Sequence, residues 1–198
     1  MQRLKITKLN PSLIDQTVTV AGWIRTLRIQ KNFSFIELYD GSCLKSVQII
    51  ADDKLPHYAS ILDTLSTGAC IKVQGVVVKS PKHDQAIELQ ATLIELLGSC
   101  PPETYPLQKK RHSFEFLRTI AHLRPRTNTQ GAVNRLRNTL AFAIHRFFQD
   151  KGFYYVQTPI LTSSDCEGGG EQFVVTTQLS PASQGHMVPI DYKNDFFS

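Results

Sequence analysis

The sequence predicts an α+β chain: a small five-stranded barrel over residues 1–100, a linker and hinge over 101–126, and the opening of a second domain over 127–198. Three observations predict it. Between Gln16 and Leu97 five apolar runs of period two are interrupted once, after the third, by a run with helical spacing. Gly98-Ser99-Cys100-Pro101-Pro102-Glu103-Thr104-Tyr105-Pro106 then breaks the composition, since each proline removes a backbone donor and fixes φ. After Thr127 the apolar residues recur at steps of three and four, the period of an amphipathic helix.

Taken in order, Thr17 to Arg25 alternates, with Val18, Val20 and Ile24 on one face and Thr17, Thr19, Trp23 and Arg25 on the other. Phe33 to Tyr39 follows, closed by the turn pair Asp40-Gly41, and then Leu44 to Ile50. Leu55 to Leu65 reads as the helical interruption, turning Ile61, Leu62 and Leu65 inward and ending at Thr67-Gly68. Cys70 to Lys79, with Gly75 as a bulge, and Gln85 to Leu96 complete the set. Three strands, a helix and two strands is the order of an OB-fold, a barrel that binds oligonucleotides on its strand faces and loops.

Strand faces point to a binding surface. With Ile36 and Leu38 filling the barrel, Phe33, Phe35, Glu37 and Tyr39 project the other way, beside Trp23 and Arg25 of the neighbouring strand. Aromatic rings stack on unpaired bases at roughly 1–3 kcal/mol per base, and Arg25, Arg28 and Lys31 are placed to reach phosphates. The competing reading has Phe33 and Tyr39 closing an end of the barrel. Charge agrees with a polyanionic partner more through its placement than its size. The formal net charge is only +5, yet Gln108 to Arg137 holds eight basic residues (Lys109, Lys110, Arg111, Arg118, Arg124, Arg126, Arg135 and Arg137) against the single acid Glu115. A solvated basic face is the plainer alternative.

Beyond the linker, Ser113 to Ile120 reads as a short helix, and Leu123-Arg124-Pro125 ends it because the residue before a proline is pushed out of the helical region. Thr127 followed by Gln130 is a capping box. The helix it opens carries Val133, Leu136, Leu140, Ala143, Ile144 and Phe147 on one face and stops at Gly152. A strand, Phe153-Tyr154-Tyr155-Val156-Gln157-Thr158, then runs into Pro159 and the loop Asp165-Cys166-Glu167-Gly168-Gly169-Gly170-Glu171. That loop is no phosphate loop: it lacks both a following Gly-Lys-Ser/Thr and a G-x-G-x-x-G spacing. Its glycines let a backbone approach a small ligand closely.

Helix, strand and proline together, Gly152 to Leu161, resemble the first signature motif of class II aminoacyl-tRNA synthetases. His122-Leu123-Arg124-Pro125-Arg126-Thr127-Asn128 upstream and Ser164 to Phe173 downstream are similar to the asparaginyl members of the aspartyl, asparaginyl and lysyl subclass, over essentially the whole chain. The resemblance implies an asparagine-tRNA ligase, an ATP-dependent enzyme that attaches asparagine to tRNA(Asn), of which this chain is the anticodon-binding and first-motif part. It implies that Phe35 stacks an anticodon base, that Gln48 reads a base edge with Arg25, Arg28 and Glu37 beside it, and that Glu167 faces the α-ammonium group of the amino acid. Lys109, Lys110 and Arg111 in the hinge are expected on the tRNA backbone. No catalytic or metal-ligating residue is assigned. ATP and Mg2+ belong to the complete enzyme, which is expected to pair with itself through the first-motif helix and strand.

The same family stabilises the charge developing at the α-phosphate with arginines on a second and a third motif. This chain has no arginine after Arg146, so the 198-residue polypeptide by itself is expected not to activate asparagine and to bind neither ATP nor Mg2+. A stand-alone tRNA-binding module and an aspartyl or non-discriminating paralogue are the alternatives; a module is expected to bind tRNA with sequence preference as it stands. Hydrophobic content of 41%, charged content of 20%, no apolar leader and no apolar run near the ~20 residues that span a bilayer predict a cytoplasmic chain. Cys43, Cys70, Cys100 and Cys166 are too scattered for a zinc site or a disulfide framework. One further expectation concerns packing: helix and strand cannot cover their own apolar faces, leaving Leu140, Ile144, Phe147, Tyr154 and Val156 exposed unless something docks there.

Overall fold

A computed structural model of the chain describes residues 2–30, 32–81, 85–108 and 110–162. It contains five strands, β1 (Thr17–Ile29), β2 (Phe33–Tyr39), β3 (Val47–Asp52), β4 (Cys70–Lys79) and β5 (Ile87–Gly98), closed into a barrel in the order β1-β2-β3-β5-β4. Neighbours are antiparallel except β3 and β5, which run parallel. Strand β1 serves two partners: Thr17 to Trp23 pairs with β4, and Trp23 to Ile29 pairs with β2. Closure of this kind leaves no open sheet edge to cover.

The core is the inward half of each alternation. Val20, Ile24, Ile36, Leu38, Ile49, Ile71, Val73 and Leu89 are all fully buried, as the period-two reading requires. Helix α1 (Tyr58–Thr64) lies between β3 and β4 in the chain and buries Leu62, with Leu65 behind it. It is shorter than the sequence suggests, because residues 53–57 form turns before it. Gly68 follows at φ +92, where an added Cβ would collide with Cys100 and Tyr105. Strand β3 begins at Val47 rather than Leu44: Ser42 bonds back to Asp40, and residues 41–44 are bends. Thr19, expected on the outer face, is buried as well, since Leu4 N–H donates to its carbonyl and lays the N-terminal segment alongside. Gly75 sits at a register shift, and an added Cβ would lie 2.3 Å from the carbonyl oxygen of Gln90.

After the linker, α2 (Phe114–Thr119) is capped by Ser113, whose hydroxyl accepts from the Phe116 amide. A 3-10 turn over Arg124–Arg126 leads to α3 (Asn128–Asp150), and the Thr127 side chain accepts from Gln130 N–H as the capping box requires. Gly152 stops α3 at φ +82. Two contacts tie α3 to the barrel: Arg25 Nη1 donates to Asn128 Oδ1 at 2.7 Å, and Arg135 donates to the Gly41 carbonyl. Otherwise α3 buries no residue; Leu140, Ile144 and Phe147 are all more than half exposed.

The chain divides into two units, residues 1–153 and 154–198. In the second unit, Tyr154 to Thr162 is exposed and forms no helix or ladder. Among the described residues the strand expected over Phe153 to Thr158 is not formed, because a strand needs a ladder with a neighbouring strand and the barrel is closed on its own five. Among the same residues no helix is long and apolar enough to cross a membrane. Cys43, Cys70 and Cys100 are half-buried free thiols, and Cys166 lies outside the described residues.

Candidate nucleic-acid interface

Alternation along β2 decides what its outer face carries. Ile36 and Leu38 point into the barrel, so Phe33, Phe35 and Glu37 point out. Phe35 lies opposite Arg28 of β1 and Ile50 of β3. The Arg28 guanidinium stands 5.3 Å from the Phe35 ring centroid, and the Phe33 ring meets Phe35 edge-on at 5.3 Å and 79°. Both contacts orient the Phe35 ring before any ligand arrives. Arg28 makes no ion pair among the described residues, so its charge is available to a phosphate.

Next to the rings runs a polar row. Thr26 Oγ1 donates to Glu37 Oε2 at 3.0 Å, and the Ser46 hydroxyl donates to the other carboxylate oxygen. Glu37 faces Gln48 across the β2–β3 ladder. Gln48 Nε2 donates in turn to Glu88 Oε1 at 3.1 Å, and Ser80 Oγ donates to the same oxygen at 2.7 Å. Glu88 is only 2% exposed, and a carboxyl so buried is tolerable because it is hydrogen-bonded. The consequence falls on Gln48: with one amide N–H committed to Glu88, the group is held in one orientation, which base-edge reading requires. Gln90 Nε2 bonded to Asp52 Oδ2 at 3.0 Å extends the row. Glu88 was not singled out from the sequence. The available signal was a carboxylate flanked directly by the apolar Ile87 and Leu89.

Arg25 and Tyr39 belong to a different cluster. Tyr39 is buried rather than projecting from an open surface, and its ring lies 5.9 Å from that of Trp23. Arg25 covers the Tyr39 ring at 4.5 Å, and Arg126 from the hinge covers Trp23 at 4.8 Å. Burial pushes the Tyr39 hydroxyl up to about 12, against the opposing pull of Arg126 and Arg25. The single aromatic wall expected from the sequence is thus two clusters, with Phe33, Phe35 and Arg28 in one and Trp23, Tyr39, Arg25 and Arg126 in the other. The hinge reaches over the second. Lys110 and Arg111 are exposed, and Lys110 lines a cavity of about 470 Å³ beside Tyr39. Lys31, Lys109 and Glu167 lie outside the described residues. Among those described, no group of three or more His, Cys, Asp or Glu side chains could hold a metal ion.

Residues 18–97 match the family described as OB-fold nucleic acid binding domain, and residues 113–189 match tRNA synthetases class II (D, K and N). An asparagine–tRNA ligase of Protochlamydia amoebophila is 54% identical over 190 residues, covering 94% of this chain and 40% of the relative. One from Microcystis aeruginosa is 57% identical over 183 residues, covering 92% and 39%. A solved structure of asparaginyl-tRNA synthetase from Pyrococcus horikoshii, complexed with asparaginyl-adenylate, superposes with a TM-score of 0.75 over 85% of this chain and 39% of that one. At 21% identity that likeness concerns the fold. The chain spans about two fifths of the length of the curated relatives it matches.

Proposed function

Because the chain belongs to the class II tRNA synthetases of the D, K and N group, we propose that it is the anticodon-reading and first-motif part of an asparagine–tRNA ligase. In this reading the barrel grips the anticodon of tRNA(Asn), the basic hinge follows the tRNA backbone, and the segment from Thr127 onward opens the domain that binds asparagine. The observation that carries it is the outer face of β2 and β3. An oriented ring at Phe35, with a cation at Arg28, stands beside a hydrogen-bonded row that fixes Glu37 and Gln48. Rings supply affinity that tolerates any base, and the fixed polar groups supply preference among bases.

We assign residues 1–100 to anticodon binding, 101–126 to the hinge and 127–198 to the start of the catalytic domain. Glu167 is proposed to meet the α-ammonium group of asparagine, an anion being the suitable partner for that cation. ATP and Mg2+ serve the activation step in the complete enzyme. The described residues do not fit a magnesium ion, and no step of that chemistry is assigned to them. We place the assembled enzyme in the cytoplasm as a homodimer.

Binding to anticodon stem-loop RNAs tests the reading. Phe35→Ala is expected to weaken the tRNA(Asn) stem-loop by roughly 1–3 kcal/mol and to blunt preference among anticodons. Replacing Lys109 and Lys110 together is expected to weaken full-length tRNAs alike, and to lower the slope of log affinity against log salt by about 0.7–0.9 per lost phosphate contact. If both changes act identically, or if the chain prefers no anticodon, the assignment of base reading to the barrel is wrong.

A further inference from the structure

We propose that the cavity between the barrel and the hinge is a binding site for a phosphate group, separate from the Phe35 face. Its volume is about 470 Å³, and its lining includes Arg25, Arg126, Lys110 and His112 but no aspartate or glutamate. Arg25, Arg126 and Lys110 make no ion pair among the described residues. Gathering cations in a concave, partly water-excluded place costs free energy through mutual repulsion and lost hydration, and an anion relieves both. Phosphate suits the set better than a carboxylate does. Two guanidinium forks match its oxygens, and the neutral lining groups Thr67 and Asn128 carry further donors.

Preorganisation points the same way. Arg25 is held over the Tyr39 ring and by Asn128, and Arg126 is held over Trp23. The Tyr39 hydroxyl is buried among these groups without a hydrogen-bond partner, a donor left unsatisfied in the free chain. Tyr39 lies four residues along β2 from Phe35, roughly 13 Å at the rise of a strand, so a base stacked on Phe35 does not fill this cavity. The phosphate has two sources with one chemistry: a free phosphate ion, or a backbone phosphodiester of RNA. The second source rests on the function proposed above; the first does not.

Trp23 is the sole tryptophan and packs against both Tyr39 and Arg126, so its fluorescence reports on the site. Inorganic phosphate, titrated against chloride at constant ionic strength, is expected to change that fluorescence saturably. Arg126→Gln should weaken the response roughly ten- to hundredfold and Arg126→Lys less, the loss expected for charged hydrogen bonds. Lys54→Gln, which removes a charge outside the cavity, should leave it unchanged. Equal responses in Arg126→Gln and the parent chain, or equal losses in Lys54→Gln and Arg126→Gln, overturn the proposal. Far-ultraviolet circular dichroism of Arg126→Gln guards against a folding defect, and calorimetric titration of phosphate into the unmodified chain, expected to show saturable binding, gives a readout that needs no variant. The sources separate by competition. Saturating phosphate that weakens stem-loop or tRNA binding assigns the cavity to the RNA backbone; phosphate that saturates without touching RNA affinity assigns it to the free ion. A chain that binds phosphate but no RNA sinks the proposed function and leaves this site standing.

Discussion

At the scale of single residues, two buried acids set opposite ends of the pH range. Asp40 accepts from the amides of Ile6 and Ser42 and from the Ser42 hydroxyl, with Arg3 at 3.6 Å. Burial pushes its carboxyl up, but those hydrogen bonds and Arg3 outweigh it, and the group ends below its ordinary 3.8. A depressed folded value means the contribution is complete above about pH 3.8 and drains away as the pH falls through the lower folded value. Asp40→Asn is expected to cost about 1.5–3 kcal/mol in urea unfolding at pH 7, and to cost progressively less below pH 4. Tyr39 works at the alkaline end. Its folded value near 12 against 10 unfolded keeps stability intact below pH 10 and lets it fall between pH 10 and 12. Tyr39→Phe removes both that loss and an unsatisfied hydroxyl. In phosphate-free buffer at pH 7 it is expected to be neutral or to stabilise by about 1 kcal/mol, and a clear destabilisation would mean the hydroxyl has a partner. Neither behaviour was legible in the sequence, where Asp40 reads as a turn residue and Tyr39 as an outward aromatic. Both depend on the segments that cover them, the N-terminal stretch at Ile6 and the hinge at Arg126.

At the scale of elements, what was local in the chain was legible and what needed a neighbour was not. Strands β2 and β4 have the bounds their alternation predicts, and Thr127 and Gly152 act at the two ends of α3 as their residue types require. Phe153 to Thr158 has the composition of a strand but forms no ladder among the described residues, since composition alone makes none. Glu88 escaped notice for the same reason, since its partners Gln48 and Ser80 come from other elements. Close approach of elements also makes a prediction. A Cβ on Gly22 would lie 2.3 Å from the carbonyl oxygen of Tyr39, and one on Gly75 equally close to that of Gln90. In both cases the neighbour is backbone, which cannot rotate away. Gly22→Ala and Gly75→Ala are each expected to destabilise the barrel by about 1–3 kcal/mol or more, measured by chemical denaturation. They should differ in function: β2 must shift for Gly22→Ala, so it should disturb the Trp23 fluorescence beside Tyr39, whereas Gly75→Ala should leave that signal in place.

At the scale of the whole molecule, the balance of buried and exposed apolar surface is uneven along the chain. The barrel encloses most of its apolar side chains, while α3 leaves Leu136, Leu140, Ile144 and Phe147 at 54–65% exposure along one face. At 100° per residue these four and Val133 fall within one arc, which is the geometry of a helix seat awaiting a cover rather than of scattered surface apolars. An amphipathic face of this length, exposed over about four turns, is costly to leave in water at roughly 25 cal/mol per Å² of apolar area. The proposed homodimer covers it with a second copy, and two copies meeting through the same face give a closed, self-complementary contact. Sedimentation of the chain is therefore expected to show concentration-dependent association, and Leu140→Glu with Ile144→Glu to shift it to monomer without unfolding the barrel. Barrel integrity is read separately, through Trp23, because α3 reaches the barrel mainly through Asn128 and Arg135 and neither is altered. A chain that stays monomeric at all concentrations, or a double variant that associates as before, places the covering surface elsewhere.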